Sequence, residues 1–162
     1  MTVLRQIDRA VGAFLAVMQW LALPLVLLLF LQWPLRDIVH AYSGQANDLG
    51  QIIFALLVAS SVTAATRAGT HLAADTVAQR YSALTRHRIR QIGTAIGMLP
   101  WALFVLISGA SMVIPSLREM EAFPETYNPG YYIIKLALWL MATLVLAQSV
   151  VDILRPFKAG ER

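Results

Sequence analysis

The sequence predicts an all-α integral membrane protein with four transmembrane helices and an amphipathic interfacial helix in a cytoplasmic loop. Three observations carry that reading. The 162 residues are 58% hydrophobic and only 14% charged, whereas soluble domains run to roughly 45–50% apolar and about 25% charged. Mean hydropathy is +0.63. The charges also cluster, leaving uncharged runs of 26 residues at 10–35, 18 at 49–66, 27 at 91–117 and 16 at 136–151. A helix crossing the hydrocarbon layer needs about 20 mostly apolar residues, and Tyr131, Tyr132, Ile133 and Ile134 bring the last run to that length. This composition excludes a disordered or fibrous chain and most soluble enzymes of this size. The absence of cysteine excludes a disulfide framework, a thiolate metal site and a thiol nucleophile.

The expected spans are about 10–35, 49–66, 91–117 and 131–151, within one membrane domain covering 1–162. Arg5 and Arg9 precede the first apolar run as they would in a signal peptide. The run far exceeds the 7–15 residues of a signal h-region and has no prompt small-residue cleavage site, so it reads as a retained span. Pro24 and Pro100 fall inside the first and third spans. Each removes a backbone donor and can kink its helix, which a bundle tolerates where neighbours re-satisfy the freed carbonyl.

Orientation follows from the basic residues on alternate sides. Arg5, Arg9, Arg67, Arg80, Arg86, Arg88, Arg90, Arg155, Lys158 and Arg162 lie on one side, and only Arg36, Arg118 and Lys135 on the other. The ten-to-three asymmetry predicts cytoplasmic termini and outward-facing hairpin tips.

The loop over 67–90 carries Ala73, Ala74, Val77, Ala78, Tyr81 and Leu84 at helical spacing, with Asp75, Gln79, Arg80 and Arg86 on the other face. That pattern predicts an amphipathic helix over about 71–85, packed on the bundle or lying at the interface. Arg86, Arg88 and Arg90 follow directly before the third span and suit anionic lipid headgroups. The loop before the fourth span contains Asn128-Pro129-Gly130, the pattern of a type II turn. Tyr127, Tyr131, Tyr132 and Trp33 occupy belt positions at the membrane surface, while Trp20 and Trp101 fall well inside their spans.

Reactive chemistry is sparse. Ionisable groups inside a membrane are costly and mark ion or substrate paths, and the four spans as drawn hold none apart from Lys135 near the start of the fourth, where it can snorkel. His40, His71 and His87 all lie outside the spans, which disfavours a haem-carrying bundle. No catalytic, cofactor or metal set emerges. His71 and Asp75, four apart, read as a local hydrogen bond on one helix face. Glu119, Glu121 and Glu125 form an acidic outer loop. Small residues are prominent: Gly93 and Gly97 in the third span, and Ser60, Ser61, Thr63, Ala64 and Ala65 in the second. Such faces admit close helix approach. Together these features describe a chain that sits in the membrane and holds another membrane protein. An independent small homo-oligomeric transporter and the membrane anchor of a redox complex are the alternatives, and backbone carbonyls can bind Na⁺ without a charged side chain.

Several motifs, in order, resemble one family. After the second span, 67–75 reads Arg-Ala-Gly-Thr-His-Leu-Ala-Ala-Asp, in which Arg67, His71 and Asp75 fit and Ala73 replaces an arginine. Ser116, Glu121, the Asn128-Pro129-Gly130 turn, Lys135 and Gln148 follow in the expected sequence, whereas Asn47-Asp48-Leu49-Gly50-Gln51 stands where a glutamate is common. The chain thus resembles the small, DctQ-like membrane subunit of tripartite ATP-independent periplasmic (TRAP) transporters, over nearly its whole length. The resemblance implies a non-catalytic scaffold in the bacterial inner membrane, without cofactors. Its partners would be a large elevator-type subunit with the Na⁺ and substrate sites, and a periplasmic binding protein delivering an organic acid. Glu119, Glu121 and Glu125 would lie where that binding protein docks.

Overall fold

The computed structural model describes residues 2–38, 43–68 and 81–154. Its elements are α1 (Thr2–Met18), a 3₁₀ turn (Gln19–Leu21), α2 (Ala22–Asp37), α3 (Gly44–Ala68), α4 (Ala83–Gly93), a π turn (Thr94–Met98), α5 (Leu99–Arg118) and α6 (Tyr131–Leu154). Four continuous helical stretches are long and apolar enough to cross a membrane: Leu4–Asp37, Gly44–Ala68, Ala83–Arg118 and Tyr131–Leu154. Each contains one of the four uncharged runs and extends past it at both ends.

The two irregular turns have a common cause. Pro24 has no N–H to give the carbonyl of Trp20, four residues back, and Pro100 has none for Ile96. The ladder changes register just there. Ala22 N–H donates to Gln19 O, three residues back, and Leu99 N–H donates to Thr94 O, five residues back. Pro34 and Pro115 fall in the closing turns of α2 and α5, which stay α-helical.

The predicted amphipathic helix over 71–85 falls mostly outside the described residues. Its last part is reassigned. Tyr81 and Ser82 are not helical, and Ser82 caps α4, its hydroxyl accepting from Thr85 N–H at 3.2 Å. Residues 83–85 therefore open the third span. Serine satisfies one of the orphan donors at a helix start, and this local contact prevails over the apolar periodicity running through it.

The core lies where α6 packs between α3 and α5, and small or polar side chains make much of it. Ala102, Thr63, Val113, Ala142, Val145 and Ser149 are fully buried. Gly109 lets α5 and α6 approach, since a Cβ there would stand 3.2 Å from Trp139 Nε1. That indole donates to the Leu106 carbonyl at 3.1 Å. At the other end of α6, Gln91 of α4 donates to the Ile153 carbonyl at 2.8 Å.

Candidate functional site

The most elaborated polar structure is the loop over 119–130, between α5 and α6. It begins with the C-terminus of α5. Met120 N–H donates to Leu117 O and Glu121 N–H to Ser116 O, at 3.4 and 3.1 Å. This is the paired closure of a Schellman motif. Its left-handed position is held by Met120, at φ +50°, where glycine is usual. The chain then doubles back, with Phe123 N–H donating to Asn128 O at 2.8 Å and Ala122 bridging Pro129. The expected type II turn takes another form: the Asn128 carbonyl serves Phe123, and Gly130 has φ +134° rather than the roughly +80° of that turn. A side chain at Gly130 would also meet Ile52 of α3, its Cβ 3.2 Å from Cδ1.

Three clasps hold this loop on the bundle. Asp48 of α3, which is buried, accepts from the Thr126 hydroxyl and from Asn128 Nδ2, the latter at 3.0 Å. Lys135 of α6 forms a close ion pair with Glu121. Phe123 is buried and meets Tyr131 edge-on, ring centroids 5.4 Å apart, while the Lys135 ammonium stands 5.3 Å from the Tyr131 ring. The Lys135 hydrogen bond chiefly holds the Glu121 carboxyl below the usual carboxylate range. Glu119 and Glu125 remain exposed, as do Met120 and, at 83%, Tyr127. Tyr127 also has a left-handed backbone, φ +57°.

At the opposite end, Arg67 of α3 crosses to α1. It pairs with the Asp8 carboxylate at 3.0 Å and donates to the Asp8 carbonyl at 2.8 Å. Gly12 makes room, since a Cβ there would stand 3.2 Å from the guanidinium Nη2. Arg86, Arg88 and Arg90 are all exposed along α4. His71 and Asp75 lie outside the described residues.

Of the residues singled out by sequence, the structure brings together Glu121 and Lys135, and gives Arg67 the partner Asp8. It separates the acidic trio: Glu121 is engaged internally, and only Glu119 and Glu125 face outward. Asp48 and Asp152 need a correction. They stand one residue beyond the drawn ends of the second and fourth spans, yet both lie inside helices and are buried. Gln148 donates to Asp152 at 3.1 Å within α6. Counting formal charges made these carboxyls boundaries, because a charge satisfied by hydrogen bonds looks the same in sequence as one in water. An i, i+4 amide–carboxyl pair was the available signal for Asp152. Thr126 and Asn128 had none beyond their place in a turn.

Among the described residues no group of three or more His, Cys, Asp and Glu could hold a metal ion. The polar side chains described here tie one segment of the chain to another, within a helical membrane protein. The sequence over 25–159 matches the family described as "Tripartite ATP-independent periplasmic transporters, DctQ component", and the chain belongs to that family. It is a small membrane subunit of a tripartite transporter. Membership implies, in general terms, a larger membrane subunit and a binding protein as partners. No curated protein and no solved structure matches the chain.

Proposed function

We propose that this chain is the non-catalytic scaffold of a Na⁺-driven TRAP transporter for organic acids. It pairs with the large elevator-type subunit, which carries the ion and substrate sites, and helps dock the periplasmic binding protein. The observation that carries this reading is the contrast in burial among the spans. Only 11% of the most apolar stretch of the first and third spans is buried inside the chain, against 39% for the fourth. The first and third spans therefore offer the surfaces for a partner. Gly93 and Gly97 support the same reading, because a Cβ at either position would meet nothing within 4 Å. Close helix approach is available there.

In this proposal both termini are cytoplasmic and the protein resides in the inner membrane. The 119–130 loop then faces the periplasm, with Glu119 and Glu125 as docking charges and Glu121 supporting them through its hold on Lys135. Arg86, Arg88 and Arg90 contact anionic headgroups at the cytoplasmic surface. His71 and Asp75 retain the structural part that the family motif implies.

Affinity purification from membranes in mild detergent tests the reading. A large hydrophobic subunit should co-purify in a one-to-one ratio, and reconstituted vesicles should take up an organic acid only with a Na⁺ gradient, that subunit and the binding protein. Transport by this chain alone would overturn the proposal. So would a haem absorbance band in the purified protein.

A further inference from the structure

A groove of 780 Å³ runs between α1 and α3, lined by Gly12, Ala16, Leu57, Ser61, Ala64 and Arg67 among others. It extends from the Arg67–Asp8 pair to Gln19 and Ala22, beside the 3₁₀ turn. The wall is made mostly of small and apolar groups. Ser60, on the same stretch of α3, turns its hydroxyl onto the Leu56 and Leu57 carbonyls at 3.0 and 2.9 Å.

Residues 5, 8, 9, 12, 16 and 19 recur at three- and four-residue steps, so they share one face of the α1 stretch. The groove-lining residues therefore continue directly into Arg5, Asp8 and Arg9. Asp8 is committed to Arg67, while Arg5 and Arg9 are exposed. Three arginines against one carboxylate leave a net positive mouth on an apolar slot. From Gly12 to Ala22 the axis is about 15 Å long, a length that a hydrocarbon chain spans. The small, apolar lining under a cationic mouth suits an acyl chain beneath an anionic headgroup.

We propose that this groove is a binding site for an anionic phospholipid. One acyl chain lies between α1 and α3, and the phosphate is held by Arg5 and Arg9 beside the Arg67–Asp8 pair. Asp8 positions Arg67 and keeps the headgroup from drawing it away from α1. Lipid retained here is distinct from the bulk contacts of Arg86, Arg88 and Arg90, because it requires the slot as well as the charge.

The test uses the protein purified from membranes with the chains that accompany it, reconstituted in equimolar phosphatidylglycerol and phosphatidylcholine of matched chains. Native mass spectrometry should show one phosphatidylglycerol retained preferentially. Removing the two exposed charges together, Arg5→Gln with Arg9→Gln, should lower that preference by roughly fivefold per charge. Ala64→Leu, which fills the slot, should abolish retention of the lipid. Should Ala64→Leu fail to fold, the exposed arginine pair decides alone. The chain has no cysteine, so Ala64→Cys carries a photocrosslinker at one place only within it, and a lipid adduct on this chain is expected. Equal retention of the two lipids, or a preference unmoved by the arginine changes, overturns the proposal. A crosslink to a protein chain also overturns it, in favour of a docked helix or a second copy.

Discussion

The first and fourth spans are both long, apolar helices, yet they build opposite kinds of surface. Leu23, Val26, Leu27, Leu29, Phe30 and Trp33 of α2 are all exposed, and Leu25 is its one buried residue among those described. In α6 the buried residues are Ala137, Ala142, Val145, Gln148, Ser149, Val151 and Asp152. Large apolar side chains mark what faces out, and small or polar ones mark what is packed. A hydrocarbon surround explains the inversion. Lipid tails accommodate leucine as well as any protein core does, so close packing and hydrogen bonds must hold the bundle together.

The sharpest way to break that contrast is through a polar residue acting as core. Asp48→Ala deletes the acceptor of both Thr126 and Asn128, and hydrogen bonds to a charged group contribute about 1.5–3 kcal/mol each. We expect a loss of about 3 kcal/mol and detachment of the 119–130 loop, seen as a lowered thermal midpoint and faster proteolysis there. A paired enlargement comes next. Ala142→Leu overpacks a fully buried site and should cost about 1–3 kcal/mol. Leu29→Phe on the exposed face of α2 should stay within about 0.5 kcal/mol. Equal effects on the midpoint would remove the distinction between the two spans.

Met120→Gly runs in the other direction. It relieves a left-handed methionine and should stabilise the loop by about 1 kcal/mol, a rise in midpoint that any docking role of the side chain would offset as weaker binding-protein capture. The smallest effect concerns acid. The folded-state pKa of Glu121 is lowered, so its pairing with Lys135 contributes fully above the ordinary carboxylate pKa. That contribution is lost as pH falls through the lowered value. A slight weakening of the loop in acid should vanish in Glu121→Gln, and proteolysis at successive pH values measures it.

Charge spacing made the four spans legible, since a formal charge is the costliest thing to leave in hydrocarbon. The same rule hid Asp48, whose partners Thr126 and Asn128 become visible only when segments far apart in sequence are placed side by side, and Asp152, whose Gln148 partner lies one helical turn back. Asp8 and Arg67 stand 59 residues apart, and no periodicity links them. Met120 escaped notice because the usual sign of a left-handed helix cap is glycine. Glu121 and Lys135, by contrast, each stand out in sequence through the ordered resemblance of the 116–148 stretch to the family, and the structure adds that they pair.

The prolines divide the helices in a way that bears on mechanics. Pro24 and Pro34 lie in the first span and Pro100 and Pro115 in the third, while the second and fourth contain none. A helix lacking one rung of its ladder can bend there without breaking a bond it had. Compliance therefore belongs to the two spans turned outward, and stiffness to the pair at the centre. A chain built this way can flex along its outer spans while its own keel keeps its shape.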